Sequence, residues 1–230
     1  MNNMKKRGKE MPFYSSVGKV RQLPHTASMV RTLVIDLASH AGFIACCDDA
    51  VRAVEPVDHR IGDHELPALL ARVLGAAGWT YQGIERIACV TGPGGFTSLR
   101  VAVTLANTLA AELHVPLAGM HVSDLWRMRC TTPDGVWLHS TKKTELFVRG
   151  FGAHAALWPE PIVLSVDACR AAYPAGALWC GELLPAHQEA LGINAVPAPA
   201  QRSVEAILPD MVKCLLYTST PLAPWYGRGW

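Results

Sequence analysis

The sequence contains no run of about 18 uninterrupted apolar residues, the least that a membrane-spanning helix needs. It contains no Cys-x-x-Cys, no His-Glu-x-x-His, and no Lys-Ser/Thr behind a glycine-rich loop. Zinc-ribbon, zinc-peptidase and P-loop chemistry therefore have no motif to carry them. Charged residues make up only 17% and aromatics 7%, against 50% hydrophobic. That balance excludes a disordered chain, and the 19 glycines have no fixed period, which excludes a collagen-like one. No apolar stretch of the kind found in secretory leaders occurs among the first 28 residues. A soluble, cytoplasmic chain with no metal site is the expectation.

What charge there is lies unevenly. Residues 1–28 hold Lys5, Lys6, Arg7, Lys9, Lys19 and Arg21 against Glu10, a net +5, while the remainder is net −3. A basic arm of this kind suits phosphate contacts with RNA. The plainer reading is a solvated, disordered extension with Met29 as the natural start. Seven cysteines, an odd number with no metal spacing, read as reduced thiols. The adjacent pair Cys46 and Cys47 points to opposite faces of a strand.

The ordered pattern starts near Arg31. Thr32–Ala38 is a nearly continuous apolar run, as in a strand buried on both faces. Strands over 42–47 and 50–56 follow, joined at Asp48-Asp49. Asp63 is a candidate cap for a helix whose apolar residues Leu66, Leu69, Leu70, Val73, Leu74 and Ala77 form one stripe, ending at Gly78. A strand over 84–91 leads into Gly92-Pro-Gly-Gly-Phe-Thr97, then a helix over 98–114, a strand over 117–120 and a helix over 121–129. In the second half the pattern predicts strands over 136–140, 145–151, 162–164 and 177–180, and helices over 166–173, 184–191 and 202–216. A hairpin series followed by alternating helices and strands means a mixed-sheet α/β fold in two lobes.

The Gly92–Thr97 loop is the most informative segment. Glycines between a strand and a helix expose backbone N–H groups at the positive end of the helix, a ready anion site, with Arg100 one turn in. Equally, the loop is a tight turn capped by Thr97 or Ser98. The helix behind it is apolar on two faces, with Leu99, Val103, Ala106, Ala110 and Leu113 on one and Val101, Leu105 and Leu109 on the other. Such a helix is central to its lobe or is covered by another subunit. Asp36 is the one carboxylate in the first strand; it suits a metal–nucleotide complex or a cap on its own turn.

Three segments resemble the TsaB (YeaZ) family: Thr32-Leu-Val-Ile-Asp-Leu-Ala-Ser39, Asp63-His-Glu-Leu-Pro-Ala-Leu-Leu70, and Gly92-Pro-Gly-Gly-Phe-Thr-Ser-Leu-Arg100. The last is similar to that family's Gly-Pro-Gly-Ser-Phe-Thr-Gly-Leu-Arg, and Pro224-Trp-Tyr-Gly-Arg228 resembles its closing motif. The resemblance covers 31–130 and returns in the tail. It implies an actin-like ATPase/sugar-kinase fold with two ribonuclease-H-like mixed-sheet lobes, divided as 29–125 and 126–217 with a tail over 218–230. It further implies a non-catalytic assembly subunit for N6-threonylcarbamoyladenosine formation in tRNAs reading codons that begin with A. Such a subunit docks on the TsaD transferase through its first two helices, is joined by the ATPase TsaE, pairs with itself when alone, and meets tRNA mainly through the complex.

With the helix register, the resemblance offers His64, Leu66, Leu69, Leu70, Val73, Phe96, Thr97, Arg100, Val103 and Asn107 as the partner interface. It offers Asp36, Gly92, Gly94 and Gly95 as a vestigial nucleotide or anion site. No cofactor is required, with residual ATP–Mg binding the open alternative. The sequence departs from the family at Gly95, Ser98, Leu37-Ala38-Ser39 and Thr141-Lys-Lys-Thr144, and it has no His-x-x-x-His. Those departures weaken nucleotide binding rather than the scaffold role. The competing readings are a small actin-fold ATPase or phosphotransferase, resting on Asp36 and the glycine loop, and a glycopeptidase-like hydrolase.

Overall fold

The computed structural model describes residues 29–57, 63–142, 144–192 and 200–227. The basic extension 1–28 and Arg228 of the closing motif lie outside them. The first lobe is a five-stranded sheet in the order β3-β2-β1-β4-β5, built from β1 (Thr32–Asp36), β2 (Gly42–Cys47), β3 (Val51–Val57), β4 (Arg86–Gly92) and β5 (Leu117–His121). β1 to β3 are antiparallel, whereas β1, β4 and β5 are parallel. β1 and β2 are buried along their whole length, as their unbroken apolar runs require. β3 is half exposed at the sheet edge, where Pro56 is tolerated.

The second lobe repeats this scheme without its last strand. β6 (Gly135–Lys142), β7 (Glu145–Phe151), β8 (Ile162–Ser165) and β9 (Trp179–Glu182) form a sheet in the order β8-β7-β6-β9. β8, β7 and β6 are antiparallel and β6 is parallel to β9. Two copies of a hairpin-then-crossover sheet make this the actin-like, ribonuclease-H-like architecture that the sequence suggested.

Helices α1 (Leu66–Ala77) and α2 (Phe96–Leu113) fill the crossovers from β3 to β4 and from β4 to β5. Right-handed crossovers advancing in one direction place both on the same face of the sheet. α1 starts after a 3-10 turn at Asp63–Glu65, so Glu65 rather than Asp63 holds the cap position. Gly78 ends it in the left-handed conformation, φ 69°. α2 begins at Phe96, two residues before the predicted start. Gly95 is its cap and Thr97 and Ser98 lie inside the first turn, because the Gly95 carbonyl already accepts from the Leu99 N–H at 2.9 Å.

The remaining helices are α3 (Val122–Arg129), α4 (Val166–Ala172), α5 (Pro185–Leu191) and α6 (Val204–Cys214). α6 follows the second sheet in sequence but packs on β2, β3 and α3, burying Ile207, Leu208, Met211 and Val212 in the first lobe's core. It therefore does not belong to the unit 126–217 in which the sequence reading placed it. Cys46 reaches the Val73 carbonyl of α1, and its neighbour Cys47 on the same strand points to the other face. Six cysteines are buried, Cys214 is exposed, and all seven are free. The larger core cluster reaches from the first lobe to Trp137, Phe147, Phe151 and Cys180 of the second sheet, while Val136, Leu138, Leu146 and Val148 belong to a second, separate cluster.

Candidate functional site

The glycine-rich loop is where chain packs on chain. A Cβ at Gly94 would stand 2.7 Å from Ala38 in the β1–β2 turn, and one at Gly92, where φ is +136°, would run into the Trp225 carbonyl. The small residues that a phosphate loop would use for close ligand approach are used here for the chain's own backbone.

Asp36 is fully buried and directs its carboxylate into its own turn. One oxygen accepts from the Ala38 and Ser39 N–H groups at 2.9 and 3.0 Å, the other from the Ser39 hydroxyl at 2.6 Å. Of its two sequence readings, this geometry is the turn cap. Burial raises its pKa from 3.8 to about 6, against the lowering effect of those three hydrogen bonds. The folded chain thus holds this proton more tightly than the unfolded one. The stability contribution is complete below pH 4 and is lost as pH rises through 6. Asp36→Asn keeps an acceptor for both N–H groups and should gain about 1–3 kcal/mol at pH 8 while matching wild type near pH 4. His121, driven down to about 3 by burial and by the charges of Arg149 and His139, slopes the other way. The difference between the two urea-unfolding profiles is therefore the readout, and parallel profiles would refute the assignment.

The proposed interface residues divide. Leu66, Leu69, Leu70, Val73 and Val103 are 0–6% exposed and pack inward in the first lobe's core. They cannot face a partner while the lobe is folded, which corrects the sequence assignment. Asn107 is also committed within the chain: its amide donates to the Leu222 carbonyl at 3.0 Å and accepts from the Leu222 N–H at 2.8 Å. His64, Phe96, Thr97 and Arg100 are exposed. Phe96 stacks on Tyr226 at 5.3 Å, and the Arg100 guanidinium lies 5.3 Å from the Phe96 ring. The outward side of α1 carries Ala68, Ala71, Arg72, Gly75 and Ala76, and that of α2 carries Thr97, Arg100, Thr104, Thr108 and Ala111. Small side chains on two helices of one face permit close approach by further helices.

Sequence reasoning named the tail motif but missed what the tail packs on, and it missed the seam between lobes. The Trp225 N–H donates to the Thr91 carbonyl at 2.7 Å, and its ring meets His121 edge-on at 4.5 Å and Phe147 of the second sheet at 5.7 Å. The tail thus ties one lobe to the other without forming a strand or helix. The signal for it was Asn107, the one amide side chain of α2. Nearby, Glu182 accepts from the His40 and Ala41 N–H groups at 3.0 and 3.2 Å, and His40 Nε2 is 2.9 Å from the Ser140 carbonyl. Burial pushes the Glu182 carboxyl up, but the His139 ring beside it and the His40 N–H outweigh that and hold it below the usual range. Burial holds the His139 imidazole below its usual range, with Glu182 opposing.

Comparison with known proteins agrees with this architecture. A crystal structure of an uncharacterized protein with similarity to peptidase YeaZ from Pseudomonas aeruginosa superimposes with a TM-score of 0.62. It is 18% identical and covers 87% of this chain and 100% of its own. YeaZ from Pseudomonas aeruginosa aligns with a TM-score of 0.50 and 17% identity over 71% of this chain and 91% of that one. The chain has the YeaZ fold.

Residues 62–150 of this chain match the family model of TsaD, tRNA N6-adenosine threonylcarbamoyltransferase. The matched stretch runs from the start of α1 through the glycine loop and α2 to β7. A curated tRNA N6-adenosine threonylcarbamoyltransferase of Methanopyrus kandleri is 45% identical over 64 residues, 28% of this chain. That alignment spans only 18% of the transferase's own length. Among the described residues, no helix is long and apolar enough to cross a membrane.

Proposed function

We propose that the chain is a TsaB-type assembly subunit that docks on a TsaD-type transferase and supports N6-threonylcarbamoyladenosine formation in tRNA without transferring the group itself. The observation that carries this reading is the TsaD-family match over 62–150, because it coincides with α1, the glycine loop and α2 in a chain of YeaZ fold. The exposed small residues of α1 and α2 supply a face suited to helix-on-helix docking. The same face serves self-association when the subunit is alone. A TsaE-type ATPase joins the pair, tRNA is met mainly through the complex, and the compartment is the cytoplasm. The scaffold role requires no cofactor, in keeping with an Asp36 that gives both oxygens to its own turn.

Size-exclusion chromatography with light scattering tests this on the full chain, alone and mixed with TsaD from the same source. A one-to-one heterodimer is the expected result. Ala71→Arg, on the exposed side of α1, should abolish that species with the melting temperature unchanged within about 2 °C, since surface substitutions stay within about 0.5 kcal/mol. No heterodimer from two folded proteins, or failure to restore modified tRNA in cells depleted of TsaB, would refute the proposal.

A further inference from the structure

His40, His139 and Glu182 come from three separate parts of the chain and meet at the seam between the lobes. His40 lies in the β1–β2 turn of the first sheet. His139 and Glu182 stand directly opposite one another on the paired strands β6 and β9 of the second. One ligand-capable atom from each of the three lies within 4.8 Å of one from each other. His139 Nδ1 is 3.3 Å from Glu182 Oε2. Two donors about 2.0 Å from a tetrahedral zinc are separated by about 3.3 Å, so one edge of a coordination tetrahedron already has its length. The other edges close by adjustment of the His40 side chain, which is exposed.

Two further features fit a metal centre. His139 is 0% exposed, and neither ring nitrogen has a well-aligned hydrogen bond, Nδ1 meeting Glu182 Oε2 only at 3.3 Å. A buried imidazole in so loose a contact is open to a ligand. The ring is fixed in place, stacked on Trp137 with only 6° between planes. His40 and Glu182 also carry the outer contacts that orient metal ligands. With His40 Nε2 donating to the Ser140 carbonyl, the lone pair sits on Nδ1. Glu182 is held by the His40 and Ala41 N–H groups.

We propose that His40, His139 and Glu182 form a two-histidine, one-carboxylate site for a first-row divalent cation, zinc by preference, that staples the two lobes together. Imidazole and carboxylate donors select such an ion, and three protein ligands leave the fourth tetrahedral position to water. The site uses none of the α1–α2 docking residues and stands or falls independently of them.

The test uses the full chain, stripped with chelator, dialysed against zinc and assayed for metal by mass spectrometry. Cobalt(II) substitution reports the donor atoms. One equivalent of zinc should be retained and should raise the melting temperature. The cobalt form should show visible d–d absorption without the near-ultraviolet band of a thiolate ligand. His40→Ala alters an exposed residue and leaves the stripped protein folded; it should weaken zinc binding at least about a hundredfold and abolish the thermal shift. Glu182→Gln keeps an acceptor for the two N–H groups and should do the same. Absence of stoichiometric zinc, unchanged binding in His40→Ala, or a thiolate band from the cysteines would each overturn the proposal.

Discussion

Val73→Asp should unfold the chain rather than merely uncouple it from a partner. Val73 is 0% exposed, packed with Cys46 and Leu70 on the face of β2 and β3 that α1 covers. A carboxylate there has no cation to meet it, and an uncompensated buried charge costs about 3–5 kcal/mol, a large share of the stability of a domain this size. Circular dichroism should show a large fall in melting temperature or no cooperative transition at all. Ala71→Arg, two residues away on the opposite side of the same helix, should melt like wild type. A Val73→Asp protein that folds normally and loses only its partner would mean that the stripe Leu66–Val73 faces outward, contrary to the structure.

Gly92→Ala should have the second largest effect, and a more localised one. The residue sits at φ +136° with the Trp225 carbonyl against its α-carbon, so an added methyl group meets both backbone strain and a fixed neighbour. Strain of that kind costs about 1–3 kcal/mol before the collision is counted. The more readily displaced element is the tail, which the Trp225–Thr91 and Asn107–Leu222 hydrogen bonds hold to the lobe. The variant should therefore lose about 3 kcal/mol and be cut by chymotrypsin at Trp225 or Tyr226 far faster than wild type. Equal cleavage rates would show that the tail does not depend on this contact.

The elements of the fold were readable because their signals are local. β2 and β7 have the boundaries predicted from apolar runs, and α1 ends at Gly78 because only the left-handed turn there stops the helix. The resemblance carried the fold, since Gly92–Arg100 fixes a strand, loop and helix in order. What the stripe Leu66–Val73 could not say is what covers it: period reveals which side of a helix is buried, not whether the cover is its own sheet or another chain. The sheet is nearer and claims it. His139 and Glu182 were invisible as a pair because only the parallel pairing of β6 with β9 sets them side by side. Asn107 read as an interface polar residue because its partner, Leu222, lies beyond a whole lobe in sequence.

α6 and the tail return to the first sheet after the second lobe is complete. The first lobe begins at the N-terminal side of the chain but cannot finish there. During synthesis its sheet emerges with the underside of β2 and β3 bare, and it stays so until residues 204–214 leave the ribosome. The second lobe, translated in between, must take shape while the first is still open. α6 thus completes the first lobe from beyond the second, and a chain released before it would leave bare the surfaces that bury Ile207, Leu208, Met211 and Val212.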